Sequence, residues 1–237
     1  MGLDEAYHAA RSIIERDGAL PVESFAVAQE VERLQCYWRP ECVRVILLLE
    51  SHVWTSDEEF KSKVRQPDGV ETSFMRFLYC LGYEGTPQFW RLLHDTVRGP
   101  EVAHDCVLKT AGQRHCAGQR LNLLEAMKAN GVWLVDASVT ALYRPGGKRV
   151  ISGRPVVDLL NACWENHVRE VVISSSPSCV LLIGKQYGGA IERAVRNAVP
   201  SALVETLQNP NARMTSEELA GYRQKVFSFC QGSPCGL

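Results

Sequence analysis

No uninterrupted apolar run in this chain approaches the ~20 residues a membrane-spanning helix requires. The start, Met1-Gly2-Leu3-Asp4-Glu5, is acidic and lacks the basic-then-apolar layout of a signal peptide. Gly2 has no Ser or Thr at position 6, which makes a poor myristoylation site. These absences point to a cytosolic protein. An excess of either charge is missing too: 26 Lys and Arg stand against 27 Asp and Glu, a formal net charge of −1. That balance excludes a wholly basic nucleic-acid clamp, although not a local basic face.

The common catalytic signatures are also lacking. Gly184-Lys185 has no upstream glycine and is followed by Gln186, so it is not a Walker loop. No Gly-x-Gly-x-x-Gly follows a strand, and neither a Gly-x-Ser-x-Gly elbow nor a His-Glu-x-x-His helix occurs. The zinc-deaminase pattern of His-x-Glu with a later Pro-Cys-x-x-Cys fails as well. Common hydrolases, kinases and dehydrogenases are thereby disfavoured. Nine cysteines are present, but they are odd in number, irregularly spaced and without Cys-x-x-Cys. Most read as small buried hydrophobes in a reducing compartment. No metal, cluster or cofactor is expected.

What is present is an ordinary globular composition, 46% apolar and 22% charged over 237 residues, enough to bury a full core. Apolar residues recur at helical spacing from Asp4 to about Arg16 and from Glu23 to Gln35, so residues 1–42 read as N-terminal helices packing on the rest. Val43 to Leu49 is β-branched and leucine-rich, short enough to be a strand buried on both faces. Residues 57–69 are polar, and Phe74 to Gly82 reads as a short helix closed by glycine. Another helix starts at Thr86, with Pro87 at its first position. The stretch from Arg98 to about Gln119, with His104, His115 and Cys116, reads as a loop or insertion whose polar residues face solvent. A regular alternation follows: helix to Ala129, strand 131–136, helix 155–168, strand 179–184, helix 186–197, strand 202–207, and a last helix capped by Thr215 with Glu218. The expected fold is α/β, three-layered αβα with a central, mostly parallel four-stranded sheet, in a single domain spanning 1–237.

In such a sheet ligands sit outside the carboxyl ends of the strands. Three polar groups fall there. Glu50, Ser51 and His52 follow the first strand, Asp136 and Ser138 the second, and Asn209, Asn211 and Arg213 the fourth. A carboxylate orients water, amides and carboxylates read the edge of a flat heterocycle, and an arginine holds phosphate. Arg144, Lys148, Arg149 and Arg154 form the densest basic cluster, beside the Asp136 loop.

With these motifs in this order, roughly from Val43 to Phe229, the chain resembles the uracil-DNA glycosylase superfamily. Leu49-Glu50-Ser51-His52 is similar to the family's motif after its first strand, and Glu50 matches the Glu that some branches carry there. Val132 to Thr140 looks like the strand that ends in a base-reading Asn, with Asp136 in its place. Asn209-Pro210-Asn211-Ala212-Arg213 is similar to the loop before the last helix, with Asn209 at the usual His. Val180 to Lys185 resembles the hydrophobic strand ending in Gly-Lys, and Phe74 or Phe77 is the counterpart of the aromatic that stacks on the extruded base. The chain departs from the family at Ser51, where an Asp or Asn is often found, at His52 for the usual proline, and at Asn209.

The resemblance implies a glycosylase that hydrolyses the N-glycosidic bond of a damaged or deaminated base flipped out of DNA. Its site would draw on Glu50, Ser51 and Asn209 for catalysis and on His52, Phe74 and Asp136 for the base. Ser138, Arg144, Lys148, Asn211 and Arg213 would hold the DNA backbone, and a nucleoid or nuclear location would follow. Two alternatives stand beside it: a catalytically silent nucleic-acid or nucleotide binder on the same fold, and an unrelated α/β enzyme acting on a small molecule.

Overall fold

The computed structural model describes residues 2–17, 21–65, 69, 71–102 and 113–231. Four strands, β1 (Val45–Leu49), β4 (Val132–Asp136), β5 (Cys179–Ile183) and β6 (Leu203–Leu207), form one all-parallel sheet in the order β4-β1-β5-β6. Every residue of β1, β4 and β5 is buried, as expected for strands covered on both faces. β1 lies inside the sheet, flanked by β4 and β5, and all four strands point their carboxyl ends at one rim.

Among the described residues ten segments of helix surround the sheet. These are α1 (Leu3–Arg16), α2 (Phe25–Tyr37), a single turn α3 (Asp57–Phe60), α4 (Pro87–Arg98), α5 (Gln113–Ala129), α6 (Arg154–Cys163), a π-helical turn (Trp164–Val168), α7 (Arg169–Ser175), α8 (Lys185–Ala198) and α9 (Ser216–Gln231). The chain crosses from β1 to β4 in one direction and from β4 through β5 to β6 in the other. Right-handed crossovers of opposite sense put their helices on opposite faces. Accordingly α1 packs on α6 and the π turn, and α6 on α8, while α4 packs on α5 and α9. Thr215 and Glu218 close the expected reciprocal cap before α9.

Three expectations change. Phe74 to Gly82 is a chain of turns, not a helix. The Arg76 backbone is drawn sideways, its N–H to the Thr55 hydroxyl and its carbonyl to the Val53 N–H, and this removes it from helical pairing. The polar stretch 57–69 contains α3 and β2 (Lys63–Arg65), and β2 pairs antiparallel with β3 (Glu71–Ser73) just beyond it. Of the expected loop from Arg98, residues 113 onward belong to α5, and His104 and the side chains of His115 and Cys116 lie outside the described residues. Cys80, Cys163, Cys179 and Cys230 are buried free thiols, but Cys36 is exposed and Cys42 is disulfide-bonded. Among the described residues no helix is long and apolar enough to cross a membrane.

Strand β4 is an edge, with N–H groups turned away from β1, yet side chains close it. The Tyr79 hydroxyl accepts from the Leu134 N–H at 2.8 Å, and Gln35 Oε1 accepts from the Asp136 N–H at 2.7 Å. The Gln35 carbonyl takes the Trp133 indole N–H at 2.9 Å. An edge so capped offers no template for another strand. Removing one cap should be costly, because a buried N–H left unpaired loses ~1–3 kcal/mol. Tyr79→Phe is therefore expected to lower unfolding free energy by about that amount in urea, with an unchanged denaturant slope.

Candidate functional site

The β1 exit and the segment after β4 build the rim. Ala137 and Ser138 continue the ladder by donating to the Leu49 and Glu50 carbonyls, and the chain then folds back over β1. Leu142 N–H donates to the Ser51 hydroxyl at 3.0 Å, and Trp54 N–H donates to the Tyr143 carbonyl at 2.7 Å. Pro145-Gly146-Gly147 makes the tight turn that returns Arg149 beside Tyr143, with both glycines at positive φ.

This fold-back completes a cluster on Glu50. The Tyr143 hydroxyl donates to Glu50 Oε2 at 2.5 Å, and Arg149 Nη2 stands 3.1 Å from Oε2 and 2.9 Å from Oε1. Arg149 also donates to the Tyr143 oxygen at 2.7 Å and lies over its ring. Burial and the neighbouring carboxylate raise the Tyr143 phenol well above its ordinary value, so it is a donor at any physiological pH. The Glu50 side chain is nearly buried at 6% exposure, whereas Arg149 at 28% reaches solvent. A carboxylate has about four lone-pair positions. Tyr143 and Arg149 leave Glu50 spare acceptor capacity, chiefly at Oε1, a buried oxygen that no hydrogen bond engages.

A second cluster lies beneath. His52 is fully buried, with Nε2 2.5 Å from Glu23 Oε1 and Nδ1 3.0 Å from Asp136 Oδ2. Both ring nitrogens face carboxylate oxygens, an arrangement that suits the doubly protonated imidazolium, which donates from each. Burial alone would lower its pKa, but the charges and hydrogen bonds of Glu23 and Asp136 outweigh that and push it up to about 10. Burial raises the Asp136 carboxyl above its ordinary value, against the opposing pull of His52. Phe77 closes the ring edge-on. Asp136 also borders a small cavity of about 10 Å³ beside Glu32, Gln35 and His167, on the α2 side.

The residues singled out in the sequence therefore divide. His52 and Asp136 come together, but as an internal ion pair and not as groups facing a bound base. Ser51 spends its hydroxyl on the His52 carbonyl and the Leu142 N–H. Ser138 is fully buried, its hydroxyl closing a turn with Thr140, so it presents nothing to a DNA backbone. Phe74 is half-buried against the β2–β3 side near Val64 and Gly82; Phe77, not Phe74, meets His52. Arg144 stacks on Trp54 at 4.2 Å, while Lys148 and Arg154 are exposed. After β6, Asn209 accepts from the Asn211 N–H at 2.9 Å in an Asx turn, Asn211 accepts from the Thr86 hydroxyl, and Arg213 is exposed. That bond diverts Thr86 from its expected cap on α4. Glu23 and Tyr143 carry no functional signal in the sequence: Glu23 reads there only as the start of the second helix, which begins instead at Phe25, and Tyr143 belongs to no motif. Among the described residues no group of three or more His, Cys, Asp and Glu is arranged to hold a metal ion.

The buried triad makes a pH-dependent contribution. A histidine whose folded pKa is raised from 6.5 to about 10 stabilises fully below the lower value and loses that stabilisation as pH rises through the upper one. Wild type should therefore lose stability from pH 6.5 upward, before the buried Cys163 thiol, raised from 9.0 to about 11, enters. His52→Gln should abolish that slope. It should also cost about 3–5 kcal/mol at neutral pH by leaving two buried carboxylates without their cation, read by urea unfolding across the pH range. No protein-family model matches this chain, and no curated protein matches it significantly in sequence.

Proposed function

We propose that the protein is a glycosylase-type hydrolase, cleaving the N-glycosidic bond of a damaged or deaminated base extruded from DNA, with Glu50 as the residue that orients water. The observation that carries this reading is the placement of Glu50. It is a carboxylate at the carboxyl end of an internal parallel strand, where ligands of open α/β sheets bind, with Arg149 and Tyr143 on it and acceptor capacity to spare. Arg149 opens to solvent beside it, Arg144 and Lys148 follow on the same turn, and the Asn209–Arg213 loop lies at the same rim by the topology of the sheet. A part-buried Arg149 that reaches solvent and an exposed Lys148 near a carboxylate suit a phosphate backbone that must be held while one nucleotide is turned inward.

The burial of His52 and Asp136, which withdraws both from a bound base, favours a second reading: nucleic-acid binding without turnover.

Base release separates the two. Oligonucleotides carrying uracil, hypoxanthine, xanthine or mismatched thymine, single- and double-stranded, are incubated at low salt with wild type and Glu50→Gln. The proposal expects release of one base by wild type and a ~10²–10⁴-fold slower rate in the variant, the range for loss of a general base, with binding retained. Binding without release in wild type supports the silent binder. Absence of both removes the nucleic-acid reading altogether.

A further inference from the structure

We propose that Glu23, on the segment leading into α2, is a positioning residue for Glu50, tying together the two chain segments that build the rim. This rests on the reading of Glu50 as the working carboxylate, although the anchoring itself is independent of any reaction. One oxygen of Glu23 serves two segments: Oε1 accepts from the His52 ring at 2.5 Å and from the Ala141 N–H at 2.8 Å. His52 lies two residues past Glu50 on the β1 exit, and Ala141 two residues before Tyr143. Between those anchors the segments are laced by the Leu142–Ser51 and Trp54–Tyr143 bonds, and Tyr143 then reaches Glu50.

The Glu23 segment is itself well held. Its carbonyl accepts from the Tyr7 hydroxyl of α1 at 2.6 Å, and the neighbouring Pro21 carbonyl faces Arg144 Nη2 at 3.4 Å. The N-terminal helices therefore do more than cover one layer of the sheet: they supply the pin on which the rim closes. The charge matters as well as the shape. An amide at position 23 can keep the Ala141 bond but cannot balance an imidazolium, so it should weaken the His52 anchor selectively. The groups facing His52 are the Glu23 and Asp136 carboxylates, with Tyr7 behind the former, Tyr79 behind the latter and the apolar Phe77 ring at its edge.

Hydrogen exchange on the full chain tests this without presupposing a reaction. In Glu23→Gln, amides 51–54 and 140–144 should exchange about tenfold faster or more, while those of β5 and β6 keep their wild-type protection, the pattern of a local opening. Wild type should show the same confined loss, corrected for intrinsic exchange, as pH rises and His52 releases its proton, and in the variant that loss should begin at lower pH. This wild-type series stands even if the variant fails to fold. Unchanged rim exchange, or a uniform rise across the whole sheet, overturns the proposal. If wild type releases a base, Glu23→Gln should lower kcat with little change in KM and move the alkaline limb of the pH profile down; an equal fall at every pH speaks for a merely structural residue. If the exchange pattern holds and no base is released from any oligonucleotide, the anchoring stands and the glycosylase reading falls.

Discussion

Three carboxylate and imidazole side chains from distant parts of the sequence meet where water does not reach, and the rim of the sheet depends on that meeting. Glu23, His52 and Asp136 are each nearly or wholly buried. An unpaired buried charge is costly, so none of the three tolerates the absence of the others. That interdependence fixes where the β1 exit lies relative to β4 and relative to the N-terminal helices. It also leaves one negative charge in excess when the imidazole is protonated and both carboxylates are ionised. Burial is the main cause that displaces the Asp136 carboxyl upward, and the Glu23 charge adds a smaller push in the same direction.

The cluster above it has a different character. Glu50, Tyr143 and Arg149 are also mutually bonded, but Arg149 is partly in solvent and Glu50 keeps unused acceptor positions. A rigid ion pair below and a partly open one above is the arrangement expected of a site whose working group must be held in place by residues that do not react. The π turn and the helix layer beyond it contribute indirectly: His167 on that turn pairs with Glu32, which accepts from Gln35, and Gln35 caps the Asp136 N–H. The polar lining thus runs without a break from the α2 surface to the strand ends.

The sheet shows the same economy. β4 would be an open edge, and Gln35 and Tyr79 close it with side-chain atoms, so the residues that protect the fold from strand addition also set the angle at which α2 meets the strand carrying Asp136. Stability and site geometry are therefore coupled through α2.

Short runs of β-branched and leucine residues, helical periodicity, Pro87 and the Thr215–Glu218 cap determined the four parallel strands and most of the helices, because those signals act over a few residues and buried strands leave few alternatives. Where the signal was local but a stronger tertiary partner existed, it lost: Phe74 to Gly82 gave up helical pairing to the Val53–Thr55 loop, and Thr86 turned its hydroxyl to Asn211. The strand-end principle located Glu50, His52 and Asp136 at one rim, since in a parallel sheet direction alone decides which ends coincide. It could not say which of them would face inward. His52 and Asp136 are internal, and Glu50 meets Tyr143 and Arg149, because the 137–150 segment folds back over β1 and Glu23, from before α2, arrives to engage both the His52 ring and the Ala141 N–H. Those pairings join positions about a hundred residues apart, with no spacing rule connecting them, and only the packed chain decides them.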